Sequence, residues 1–293
     1  MAYEPTWITL PGVVNMRDLG GQPVATGGRI RANTYLRSDN LQDLTPESVR
    51  RVVDELGVTD IVDLRTNVER ASTGPGPLAD KPGLSFHELT MYPEESDETG
   101  IPDDEDDSND PVFPWQGTWH DASRAENGHE EHLARHYLGY LDRRPDNVIR
   151  ALRAIAAADG AVVVHCAAGK DRTGTITALA LSAVGVPREV VIADYDATNQ
   201  VIEKIFERLS TSRTYAADLT GQTIKDQTTP AETMEMLLDA VDQTYGGVDG
   251  WLRAHGWTDA DQEALVTKLV DSADIDSASV DSESVDSAAA DKA

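Results

Sequence analysis

The chain has 293 residues, of which 40% are apolar, enough for one large domain or two small ones with a sizeable core. Its formal charge is −27, without the clustered Lys and Arg of a nucleic-acid binder, and no run of 18 apolar residues suggests a membrane span. The single cysteine cannot form an internal disulfide, which fits a reducing compartment, and Met1-Ala2-Tyr3-Glu4-Pro5 lacks the basic and apolar regions of an export signal. A cytoplasmic location is therefore expected, with signal-independent secretion left open.

In chain order, Thr45-Pro46-Glu47 predicts a helix start, with a Thr cap, Pro in the first turn and an acid beside it. Val49, Val52, Val53 and Leu56 form one apolar stripe, and Gly57 ends the helix. Val58 to Leu64 reads as a short strand. Residues 93–130 break the pattern: positions 94–110 hold ten acids and no Lys or Arg, followed by Pro111, Pro114, Trp115, Gly117 and Trp119. Such a stretch is expected to be an irregular, lid-like insertion. Asn147 to Ala158 predicts a helix that ends at Asp159-Gly160 and feeds the strand Ala161 to Val164. Pro187 opens a helix expected to run to about Leu209. Residues 231–270 read as helices broken near Gly246-Gly247 and Gly256. The segment 271–293 repeats a short Val-Asp-Ser or Ile-Asp-Ser unit, carries seven acids and one Lys, and is expected to be a disordered tail; deleting residues 272–293 is expected to leave turnover nearly unchanged. Helices alternating with short apolar strands predict an α/β fold: a central, mostly parallel sheet flanked by helices, within a domain spanning 5–270. The site is expected outside the carboxyl ends of the strands.

The lone cysteine lies there, in His165-Cys166-Ala167-Ala168-Gly169-Lys170-Asp171-Arg172-Thr173-Gly174. An apolar strand precedes it and a helix-like run follows. A helix N-terminus and nearby cations favour the reactive thiolate of a cysteine. The amides from Ala167 to Arg172 can form an anion-binding nest, with Gly169 allowing a turn that a side chain would resist. Arg172 offers a fork for two phosphate oxygens, Lys170 adds a second cation, and Thr173 can support the thiolate as a leaving group. His165 is read as orienting the loop. The pattern points to phosphoryl transfer through a phospho-cysteine. A buried structural thiol would not be expected beside Lys-Asp-Arg.

This loop resembles the Cys-x5-Arg signature of the protein tyrosine phosphatase superfamily, and more closely that of bacterial tyrosine phosphatases of the mycobacterial PtpB type. Asn15-Met16-Arg17-Asp18-Leu19-Gly20-Gly21, Leu36-Arg37-Ser38, Val62-Asp63-Leu64-Arg65, Val191-Ile192-Ala193-Asp194-Tyr195 and Thr244-Tyr245-Gly246-Gly247 are similar to that family as well. The resemblance covers residues 10–257. It implies a tyrosine-phosphatase-like fold and a phosphomonoesterase that needs no cofactor, acting on phosphotyrosine proteins or peptides, with dual or phosphoinositide specificity open. Ala167 stands where a well-known lipid phosphatase carries Lys, which weakens the phosphoinositide reading.

The general acid has two candidates. Asp171 is the family-like choice, and Glu94 of Met91-Tyr92-Pro93-Glu94 is the alternative. Asp171 could instead pair with Arg17 or Arg65. Arg17, Arg37 and Arg65 either shape the site together with Asp18 or form internal ion pairs with Asp18, Asp39 and Asp63. His132 and His136 share a helix face as a metal pair would, but with no further ligand they are read as a surface pair. The competing readings are a phospho-ligand binding module that has lost turnover, a thiol-dependent reductase, which would need further cysteines, and a sulfurtransferase.

Overall fold

A computed structural model describes residues 3–93 and 128–271. Its centre is a six-stranded sheet in the order β1-β2-β4-β7-β5-β6. These strands are β1 (Thr6–Trp7), β2 (Arg17–Asp18), β4 (Tyr35–Ser38), β5 (Val58–Asp63), β6 (Ser85–Glu88) and β7 (Ala161–His165). The pairs β4/β7, β7/β5 and β5/β6 are parallel, whereas β1/β2 and β2/β4 are antiparallel. The fold is thus α/β with a mostly parallel sheet, as the alternation of elements predicts. A second, two-stranded sheet joins β3 (Arg29–Ile30) to β8 (Val270–Asp271), so Asp271, expected in the tail, is paired with Arg29. Residues 272–293, and 94–127 with Trp115 and Trp119, lie outside the described residues.

β7 is central because its sequence allows nothing else. Val162, Val163 and Val164 are completely buried, so both faces of the strand must be covered by other elements. Val162 and Val164 belong to the core under the long helices, and Val163 to the core on the opposite face with Leu36, Val52 and Ile61. Burying each valine contributes about 1.5–3 kcal/mol, which fixes where the strand ends and its loop begins.

Helix α1 (Pro46–Arg50) starts as predicted: the Thr45 hydroxyl accepts from the Ser48 amide, and Pro46 occupies the first turn. Its last turn widens, with Leu56 N–H reaching Arg51 O at 2.9 Å, and Gly57 leaves it at φ +62°. Helix α2 (Asn67–Thr73) opens on a reciprocal capping box between Thr66 and Glu69. Helices α3 (His129–Arg143) and α4 (Pro145–Ala157) lead back to β7, and α5 (Asp171–Ala183) leaves it. The helix expected from Pro187 to Leu209 is three pieces: α6 (Arg188–Asp196), a tighter 3-10 stretch Ala197–Val201, and α7 (Ile202–Ser210). Buried Thr198 lies in the break, and its hydroxyl accepts from Arg17 at 3.3 Å. The remaining helices are α8 (Ala231–Tyr245), α9 (Val248–Ala254) and α10 (Asp259–Leu269), separated at the expected glycines.

Candidate active site

The loop from Cys166 to Arg172 joins the carboxyl end of β7 to the first turn of α5. Nearly every carbonyl along it is engaged by the scaffold. His165 O accepts from Leu64 N at 2.9 Å, and Ala167 O from Asn40 N at 3.0 Å. Ala168 O and Gly169 O accept from Asn15 Nδ2 at 2.9 and 3.1 Å, and Gly169 O also from the Arg37 guanidinium at 2.7 Å. Lys170 O takes the Gly174 amide at 2.9 Å. In a planar trans peptide the N–H points opposite to the C=O. The successive amides therefore turn away from Asn15, Arg37 and Asn40 toward the mouth of the loop, forming a nest for an anion. Gly169 is required here: its φ is +66°, and a Cβ would sit 2.4 Å from Ser38 O.

Cys166 is 1% exposed. Arg172 is held from behind by Glu69, whose carboxylate accepts from both terminal nitrogens at 2.6 and 3.0 Å. Burial works against the Arg172 cation, but the charges of Glu69 and Cys166 outweigh it and raise the guanidinium well above its ordinary range. The Tyr92 ring covers it at 5.7 Å. Glu69 was not legible as a site residue. Its capping-box partner Thr66 was a local signal for a helix start only, and nothing local points across the 103 positions to Arg172.

The arginine network differs from the expected one in its partners. Arg65 does pair with Asp63, at 2.7 Å. Arg17 and Arg37 instead share Asp194 of α6: Arg17 Nε lies 2.9 Å from Oδ1, and Arg37 bonds Oδ2. Burial would raise the Asp194 carboxyl, but the two arginines, with hydrogen bonds from Arg17 and Tyr3, hold it well below the usual carboxylate range. Asp18 instead caps backbone, accepting from the Gly20 and Asn33 amides at 2.9 and 2.8 Å. Asp39 accepts from the Val14 and Asn15 amides and pairs with Arg208 at 2.5 Å. The reason is topological: Asp18 and Asp39 neighbour the arginines in sequence, but α6 brings Asp194 under both. Asp194 and Asn15 lie in the segments that carry the family resemblance, which was the available signal for them.

His165 is buried, its Nδ1 3.3 Å from Cys166 O and its Nε2 3.7 Å from Asp63. Burial pushes the ring down to about 4, so at neutral pH it is uncharged. Thr173 is fully buried, and its hydroxyl has no hydrogen-bond partner among the described residues. The Lys170 ammonium, expected at the mouth, is 2% exposed and donates to Gln227 O and Oε1 at 3.0 and 3.1 Å. Asp171 pairs with neither Arg17 nor Arg65. One carboxylate oxygen takes the Tyr137 hydroxyl, and the other lies 3.8 Å from Lys170 Nζ. Glu94 lies outside the described residues. His136, expected in a surface pair with His132, is half-buried. It bonds the Tyr92 hydroxyl at 2.9 Å, and burial pushes it down to about 4.

Three features thus converge on the mouth: a buried thiol, an amide nest braced from behind, and a guanidinium fixed by a buried carboxylate. Together they can hold a tetrahedral dianion with its phosphorus against sulfur. The sequence profile described as "Tyrosine phosphatase family" matches residues 8–271. The chain is 30% identical over 274 residues to the "Triple specificity protein phosphatase PtpB" of Mycobacterium tuberculosis, covering 86% of this chain and 94% of the relative. It is 24% identical over 261 residues to a "Tyrosine-protein phosphatase" of Nostoc commune, covering 84% and 78%.

Proposed function

The chain belongs to the tyrosine phosphatase family, and from that premise we propose that it hydrolyses phosphomonoesters with Cys166 as nucleophile, Arg172 as phosphate clamp and Asp171 as general acid. The observation that carries this reading is the engagement of the loop carbonyls from behind, which leaves the amides for the phosphoryl oxygens.

The amides of Ala167, Ala168, Gly169 and Lys170 and the Arg172 fork bind the three non-bridging oxygens. The Cys166 thiolate attacks phosphorus in line with the leaving oxygen. As the S–P bond forms and the P–O bond breaks, Asp171 gives its proton to the departing alkoxide or phenoxide. Water then attacks the phospho-cysteine and returns a proton to Asp171, and inorganic phosphate leaves as the thiolate reforms. The Thr173 hydroxyl, otherwise unpaired, hydrogen-bonds the departing sulfur in this second step. His165, Arg17, Asp18 and Arg65 support the frame and do not touch the substrate. Phosphotyrosine proteins or peptides are the proposed substrates, and the relative named for triple specificity supports a wider range that includes phosphoserine, phosphothreonine and phosphoinositides.

The test is phosphate release from p-nitrophenyl phosphate, a phosphotyrosine peptide and a phosphoinositide. The expected result is turnover by the wild type and none by Cys166→Ser, which still binds substrate. Release by Cys166→Ser at the wild-type rate would refute the nucleophile. Asp171→Asn should slow alkyl phosphates far more than aryl phosphates, and equal loss on both would remove it as the acid.

A further inference from the structure

We propose that Tyr137 is a positioning residue for the general acid: its hydroxyl holds one oxygen of the Asp171 carboxyl and leaves the other to carry the transferred proton. This rests on the reading of Asp171 as the acid. Tyr137, on α3, is completely buried, with its ring stacked on Tyr140 at 5.9 Å and 12°. Its hydroxyl reaches Asp171 Oδ1 and lies 2.8 Å from the hydroxyl of Tyr195 on α6.

The direction of these bonds follows from chemistry. A carboxylate only accepts, so Tyr137 donates to Asp171 and its own oxygen is left to accept from Tyr195. Both phenols are pushed up, first by burial and then by the Asp171 charge. They therefore keep their protons throughout the working range, and Tyr137 remains a donor whether Asp171 is charged or neutral. With Oδ1 occupied as an acceptor, the acid's proton must sit on Oδ2, the oxygen on the Lys170 side.

The other groups facing Asp171 do not do this. Tyr140 and Tyr92 hydrogen-bond each other at 3.1 Å. His136, from the same helix as Tyr137, is uncharged at neutral pH. Lys170 is committed to Gln227, and Arg172, next in the chain, to Glu69.

The experiment is the pH dependence of kcat on an alkyl phosphate, for wild type, Tyr137→Phe and Asp171→Asn. Tyr137→Phe keeps the stacked ring and removes only the donor. A donor bonds the ionised carboxylate more strongly than the neutral carboxyl. Losing it favours the protonated acid, so the basic limb of Tyr137→Phe should move measurably to higher pH, with KM little changed. A purely structural role would not move the limb. If Asp171→Asn retains the basic limb, the acid reading itself fails. If Asp171→Asn erases the limb while Tyr137→Phe leaves it at the wild-type position, the acid stands and the Tyr137 proposal is overturned. Should Tyr137→Phe not fold, Tyr195→Phe removes the second donor of the chain and should move the limb in the same direction by less. An unmoved limb in that variant counts against the proposal.

Discussion

Replacing Glu69 by Gln should separate what the clamp costs from what it does. Glu69 is fully buried and accepts from Arg172 at 2.6 and 3.0 Å and from the Thr66 amide at 2.7 Å. Gln keeps one oxygen acceptor but sets an amide N–H₂ against an Arg172 donor in either orientation, and against the Thr66 amide as well in one of them. It also leaves the buried guanidinium without its counter-charge. Removing one partner of a buried ion pair costs about 3–5 kcal/mol; since Gln preserves part of the bonding, about 3 kcal/mol is expected. For a domain of this size that lowers Tm by about 6–12 °C. A phosphate or vanadate dianion in the nest would supply the missing negative charge. The ligand-induced rise in Tm should therefore be larger for Glu69→Gln than for the wild type at equal ligand concentration. Turnover should fall by about a hundredfold, because the fork loses the support that aims it and small misplacements of a reacting group are costly. Thermal melts with and without inorganic phosphate, together with steady-state kinetics, measure all three. A variant that melts within about 1 °C of wild type, or gains no more from phosphate than the wild type does, would show that Glu69 is not the counter-charge of the clamp.

Three further outcomes are expected. Asn15→Ala removes two hydrogen bonds to loop carbonyls, worth about 1 kcal/mol each, and should lower kcat by about tenfold or more in steady-state assays. Gly169→Ala combines φ +66° with a Cβ 2.4 Å from Ser38 O; it should abolish measurable phosphatase activity while circular dichroism shows the sheet and helices intact. His136 and His165 are both lowered to about 4 by burial, so between about pH 6.5 and 4 the unfolded chain takes up protons that the native state refuses. Stability should fall as pH drops through that window, by up to about 3 kcal/mol per histidine; urea denaturation from pH 7 to 4.5 measures the slope, and His136→Gln should flatten it.

The parts of the fold legible in the sequence are those whose causes are local. The cap at Thr45, the stop at Gly57 and the apolar run Ala161 to Val164 of β7 each follow from a few adjacent residues, and the structure has all three. The break between α6 and α7 was not legible, because Ala197–Val201 contains no glycine or proline. Thr198 in that break bonds Arg17, 181 positions away. β1 and β2, two residues each, are too short to show a period. In the site, the thiol, the glycine and the guanidinium lie in one ten-residue stretch. What surrounds them could not be read there: Asn15, Glu69 and Tyr137 bond this stretch, and Asp194 bonds the arginines beside it, only once the sheet order is known. Charge matching between sequence neighbours also misleads for Arg17 and Arg37, since Asp18 and Asp39 are occupied by backbone amides.

The arrangement of these pairs explains how a chain with a formal charge of −27 can take a dianionic substrate. Arg65 is matched by Asp63, and Arg172 by Glu69. Arg17 and Arg37 share the single carboxylate of Asp194, so in these three groups four guanidiniums (Arg17, Arg37, Arg65 and Arg172) face three carboxylates (Asp63, Glu69 and Asp194). Burial and the like charge of Arg37 both work against the Arg17 cation. Exposed charges are screened over about 8 Å at physiological salt, whereas buried ones are screened much less. The exposed acids are therefore screened more strongly than the buried arginines around the Cys166 loop.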